Sequence, residues 1–208
     1  MFEEILPKAA IDTIPSLLPV LDPFYLACCT GLALQLGHRS SEDLDFFSGQ
    51  TFNSDAIVAA ISPDRIFYTS MGAVHCEINN IRISFLYYKT PLTYPTLFWR
   101  GIRIAKLDDI VAEKIKTISQ RGLRKDFIDL YAVLQMKYTV KEVCDRFKNR
   151  FKESDINYHH VLKSLIYFED AESDPMPAMQ PNTRDWKWEE IKLFFESQIG
   201  LFEIELGM

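Results

Sequence analysis

The chain has 208 residues, 48% of them hydrophobic and 13% aromatic, with a formal net charge of -6. That length fits one generous domain or a compact core with an annex, and the composition excludes a disordered chain. No run approaches the roughly 20 uninterrupted apolar residues of a membrane span, and the opening MFEEILPKAA carries acids where an export signal carries bases, so a cytoplasmic protein with no membrane role is expected.

In chain order, Asp12 to Leu21 reads as a short helix interrupted by Pro15 and Pro19, and Phe24 to Ala27 is a short apolar run. Cys28-Cys29-Thr30-Gly31 reads as a tight turn of small residues, followed by helix formers from Leu32 to Leu36 and a C-cap at Gly37. Leu44, Phe46 and Phe47 predict a strand that begins at an acidic pair, and Phe52 to Ile61 a helix capped by Asn53 or Ser54. The period then changes to two. Arg65–Thr69, Val74–Ile78 and Ile81–Phe85 form a meander of about three strands, with Asn79-Asn80 as a turn and a loop holding Pro91 and Pro95 after it. From Lys106 the pattern is helical: about 107–119, a break at Gly122, 125–136, a third helix capped by Thr139, and a fourth over 158–168. Residues 173–183 read as a linker, and 186–202 as a last helix in which Trp186 and Trp188 serve packing more than base stacking. The reading is an N-terminal α/β module, 1–105, and a C-terminal helical half, 106–208, packing on it.

The charge is uneven: residues 1–99 carry -5, residues 100–152 carry +7 and residues 153–208 carry -8. A basic middle either faces a polyanion or is covered by the acidic tail. The four cysteines, Cys28, Cys29, Cys76 and Cys144, have neither metal-site nor disulfide spacing and read as small buried thiols.

Asp43 and Asp45 are the sharpest chemical feature. At i and i+2 in an extended segment two carboxylates point to one face, where they repel unless a cation lies between them. A hard divalent ion suits two such oxygens together with substrate phosphates.

The run LACCTGLALQLGHRSSEDLDFF, residues 26–47, resembles the first motif of the nucleotidyl transferase AbiEii/AbiGii toxin family through Thr30, His38, Arg39, Ser41, Asp43, Leu44, Asp45 and Phe46. Lys114 followed by RGLRKDFIDLY, residues 121–131, resembles the family's second motif, and the likeness spans about residues 20–136. It implies an α+β fold: a nucleotidyltransferase-type mixed β-sheet core with flanking helices, plus the helical half. It also implies transfer of an NMP from an NTP to RNA (tRNA) or protein, with a cognate antitoxin as partner. Asp43 and Asp45 would bind Mg²⁺ or Mn²⁺, Lys114, Lys125 and Asp126 would join them in catalysis, and Cys29, Thr30, Arg39, Ser41, Arg121 and Asp129 would contact nucleotide. Arg39 would grip a phosphate, pair with Asp45, or serve as a structural arginine beside the acids.

Two departures stand out. Cys28-Cys29 replaces a glycine-rich pair, with Gly31 one position later as the nearest source of backbone freedom. A third carboxylate, usual on a neighbouring strand, is replaced by Ser84, with Glu77 as a substitute only where it faces the cleft. The alternative function is therefore a catalytically degenerate module that binds RNA or protein through residues 100–152. His75, His159 and His160 read as surface or packing residues.

Overall fold

The computed structural model describes residues 1–208. The chain divides into two compact units, residues 1–35 with 41–106, and residues 36–40 with 107–208. A short excursion, Leu36–Ser40, thus belongs to the second unit although its neighbours on both sides belong to the first.

The first unit is built on α1 (Lys8–Leu17), β1 (Tyr25–Leu26), α2 (Cys28–Leu36), β2 (Leu44–Ser48), α3 (Ser54–Ile61) and β3 (Arg65–Ser70). It continues with β4 (Ala73–Ile78), β5 (Ile81–Tyr87), β6 (Leu97–Trp99) and β7 (Ile102–Ile104). The strands form one seven-stranded mixed sheet in the order β3-β4-β5-β2-β1-β7-β6. β2 runs parallel to β5 and β1 parallel to β7, while the other neighbours are antiparallel. The predicted meander is present as β3-β4-β5. Asn79 and Asn80, at φ 54° and 61°, supply the two left-handed residues that a tight hairpin turn needs.

Alternation decides which face of the sheet is core. Leu44, Phe46, Val74, Cys76, Ile83 and Phe85 are buried in one cluster with Ile14 and Leu17 of α1 and Ile57 and Ile61 of α3. Phe85 lies 5.6 Å from Phe46 and 5.1 Å from Phe24 between ring centroids. Burying one such ring contributes roughly 1.5–3 kcal/mol. The intervening residues, Asp45, Ser84 and His75, are half-buried on the opposite face.

Three local expectations are corrected. Cys28 to Gly31 is the first turn of α2 and not a separate turn, and the left-handed residue is Cys28 itself, at φ 58°. β6 and β7 were not expected; they turn at Arg100 and Gly101, at φ 48° and 80°. The fourth predicted helix, 158–168, ends early, at Ser164.

The second unit holds α4 (Leu107–Gln120), α5 (Arg124–Met136), α6 (Val140–Arg150), α7 (Tyr158–Ser164), α8 (Glu169–Glu172) and α9 (Trp188–Leu206). Thr139 opens α6 with a capping box closed by Glu142. Phe127 centres the core, with Phe168, Phe195 and Trp188 at 5.1, 5.6 and 5.8 Å. Trp186 packs edge-on to Tyr131 at 4.9 Å, so both tryptophans serve packing. The segment read as a linker has a structural task, because its backbone holds the 36–40 excursion. Ser40 N donates to Ala178 O at 2.8 Å, Gln180 N to His38 O at 3.1 Å, and the Thr183 hydroxyl to His38 O.

All four cysteines are free. Burial pushes the Cys76 thiol up to about 11, and the Cys144 thiol to about 12, which makes both poor nucleophiles at neutral pH. No helix is long and apolar enough to cross a membrane.

Candidate active site

β2 explains where its acids go. Leu44, Phe46 and Ser48 are buried, so Asp45 and, in phase with it, Asp43 fall on the other face. Both line a cavity of about 430 Å³ together with Ser84, His75, Arg82 and Phe67. Asp45 pairs in register with Ser84 of β5, and Ser84 with His75 of β4. Ser84 therefore occupies the strand position beside the acids. Glu77, two residues along β4 from His75, is opposite Arg82 and does not line the cavity. The donor set fits a small hard cation: two carboxylates on one face, beside room for phosphate oxygens and water to complete its coordination.

The approach to β2 is pinned by hydroxyls. The buried Thr30 hydroxyl donates to the carbonyl oxygen of Asp43 and lies 2.6 Å from Ser41 Oγ. Thr30 has a single proton, so Ser41 donates to Thr30. Ser41 N in turn donates to Ile5 O at 3.0 Å. Thr30 and Ser41 thereby fix the backbone that presents Asp43. Cys29, buried, lies in the first turn of α2 just ahead of Thr30.

Several other expected site residues lie in the second unit, in a sealed ionic cluster. Asp129 accepts from Arg39 Nε at 2.6 Å and Nη2 at 2.9 Å, from His38 Nε2 at 2.7 Å, and pairs with Lys114 Nζ at 2.5 Å. Lys114 also donates to Asp126 at 2.9 Å, and Arg121 forks onto Asp126 at 3.0 and 3.1 Å. Arg39, Lys114, Asp126, Asp129 and His38 are all buried. Burial alone would raise Asp129, but the charges of Arg39 and Lys114 and the bonds from His38 and Arg39 hold it well below the usual carboxylate range. Asp126 is lowered too, as Lys114 and Arg121 outweigh its burial. Burial pushes His38 down despite Asp129. A neutral His38 donates from Nε2, and its Nδ1 has no hydrogen-bond partner. Lys125, half-buried in the first turn of α5, makes no ion pair.

Of the 14 Lys and Arg in residues 100–152, eight are held in the ion pairs of Arg100, Lys114, Arg121, Arg124, Lys141, Arg146, Lys148 and Arg150. Arg146 pairs with Asp108 at 2.7 Å, and Arg150 with Asp109 at 2.6 Å and Glu113 at 2.7 Å. Lys148 and Arg124 donate to backbone carbonyls of the acidic tail, at Glu205 and Glu172. His75 and Arg82, which line the cavity, escaped the sequence reading. Their signal is the register of three strands, which residue spacing along one strand does not contain.

The family profile for the nucleotidyl transferase AbiEii toxin of type IV toxin–antitoxin systems matches residues 90–198, just over half of the chain. The uncharacterized protein aq_aa25 of Aquifex aeolicus (strain VF5) is 32% identical over 200 residues, covering 92% of this chain and 93% of its own. JHP933 from Helicobacter pylori superposes with a TM-score of 0.55 at 19% identity, covering 96% of this chain and 93% of that one. The nucleotidyltransferase toxin MenT4 (Rv2826c) from Mycobacterium tuberculosis H37Rv superposes with a TM-score of 0.57 at 14% identity, over 92% of this chain and 84% of that one. The fold is a nucleotidyltransferase fold, and the chain belongs to the nucleotidyl transferase AbiEii toxin family.

Proposed function

We propose that the chain is a divalent-metal-dependent nucleotidyltransferase of the toxin type, which moves an NMP from an NTP to a hydroxyl on RNA or protein and is paired with a cognate antitoxin. The observation that carries this reading is the placement of Asp43, the residue just before β2, and Asp45 within it, in phase and facing one cavity. Asp43 and Asp45 are the residues that hold Mg²⁺ or Mn²⁺, which when bound neutralises phosphate charge. Thr30 and Ser41 hold Asp43 in position through its carbonyl. Arg82 brings a guanidinium to the same cavity, suited to a phosphate oxygen. In the second unit, Asp129 and Asp126 hold Arg39, Lys114 and Arg121, and so fix the excursion that leads into Ser41.

The ion pairs of residues 100–152 favour this reading over a module that binds nucleic acid through that stretch, because eight of its 14 Lys and Arg are already engaged. The test is incubation with each labelled NTP, Mg²⁺ and a tRNA pool or cell protein. Transfer is expected, lost with chelator and reduced about 100-fold or more by Asp43→Ala. Absence of transfer, or transfer indifferent to Asp43→Ala, counts against it.

A further inference from the structure

The register of the sheet sets four side chains in one row: Asp45 on β2, Ser84 on β5, His75 on β4 and Tyr68 on β3. His75 Nδ1 is 3.1 Å from Ser84 Oγ, its Nε2 makes no hydrogen bond within the protein, and the ring lines the cavity that holds Asp43 and Asp45. A bulge between Ile66 and Tyr68 places both Phe67 and Tyr68 opposite His75, with the Tyr68 ring 6.0 Å away. Ser84, where a carboxylate is expected, is too weak a base to accept a proton near neutral pH; the imidazole beside it is not.

Resting on the nucleotidyltransferase reading, we propose that His75 is the general base for the acceptor hydroxyl and that Ser84 is its positioning residue. Asp45 and His75 lie on either side of Ser84. The serine proton is drawn to the carboxylate side, and the serine lone pair accepts Nδ1–H. That tautomer leaves a lone pair on Nε2. The acceptor O–H gives its proton to Nε2 as its oxygen bonds to the α-phosphorus. The bond from that phosphorus to the pyrophosphate oxygen breaks, and pyrophosphate leaves with the electron pair. The imidazolium then loses its proton to water. The charged and titratable groups around His75 are Tyr68 and Arg65 on β3, Cys76 and Glu77 on its own strand, Arg82 on β5, and Asp43 and Asp45.

The full chain with Mg²⁺, its best NTP and its acceptor pool is assayed across a pH series running from acid to mildly alkaline. The wild-type rate should fall on the acid side. His75→Gln should lose on the order of 10²–10⁴-fold and lose that acid limb, with NTP affinity unchanged. Ser84→Ala should lower kcat several-fold at unchanged NTP affinity. Independently of activity, ¹⁵N spectra of histidine-labelled protein should show His75 protonated at Nδ1. A wild-type rate or a retained acid limb in His75→Gln, with Asp43→Ala inactive, overturns the role of His75 alone. So does an Nε2–H tautomer. No transfer by the wild type, or full activity in Asp43→Ala, overturns the underlying reading and the base with it.

Discussion

Asp43 and Asp45 are half-buried, in phase at the start of β2, and face a cavity, whereas Asp126 and Asp129 are sealed in the helical unit between Lys114, Arg39, Arg121 and His38. Along the chain the two pairs look alike: two aspartates a short step apart, each followed by apolar residues. Solvation separates them. A carboxylate that lines a cavity can be reached by a ligand, while one buried between two cations is enclosed by its partners. The first arrangement suits chemistry and the second suits architecture, even though both motifs supported the same family resemblance.

Breaking the sealed pair tests this difference most severely. Asp129→Ala leaves Arg39 and Lys114 buried with too little negative charge, and the expected loss of stability is about 3–5 kcal/mol. Urea unfolding followed by fluorescence measures it, since Trp186 and Trp188 pack in the same unit. Asp43→Ala, by contrast, should shift stability by no more than about 0.5 kcal/mol, because the bond from Thr30 reaches the Asp43 carbonyl and survives the substitution. Equal losses in the two variants would erase the distinction.

Acid sharpens the contrast. Burial holds His38 below its ordinary 6.5, so the unfolded chain takes up that proton before the folded one does. The stability owed to neutral His38 is complete above pH 6.5 and is lost as pH falls toward the folded value. Asp126 and Asp129 are held below 3.8, so their contribution remains until pH drops under about 4, where the unfolded carboxylates protonate. Urea midpoints should therefore decline in two stages on acidification. His38→Gln should remove the first stage and keep the second. A single decline below pH 4 in the wild type would refute the assignment of His38.

What the sequence could and could not disclose follows the range of each interaction. The alternation of β2, β4 and β5 is a local pattern, as are the Asn79-Asn80 turn and the Thr139 cap, and all three were readable. β6 and β7, three residues each, are too short to show a period. Asp43 and Asp45 were legible because they lie two residues apart in one extended stretch of sequence. His75 was not, because its neighbour Ser84 is nine residues away and its relation to Asp45 passes through a parallel pairing of β2 with β5. Arg39 was seen as a candidate, but its partner Asp129 lies 90 residues on, and no local rule chooses that carboxylate over Asp45.

Cys28 is the smallest and most local test. It holds φ 58° at the start of α2, the helix whose Thr30 positions Asp43. An L-residue in that region carries a cost of roughly 1–2 kcal/mol that glycine avoids, and glycine returns part of the gain by adding freedom to the unfolded chain. Cys28→Gly should accordingly raise stability by about 0.5–1 kcal/mol, seen as a rise of roughly 1–4 °C in Tm for a chain of this size. Cys28→Ala keeps a Cβ in the same conformation and should give no such gain. If the alanine variant is stabilised as much as the glycine variant, the cysteine side chain and not the backbone is the source of the cost. The glycine-for-cysteine difference between this chain and the family motif is then a matter of packing beside α2.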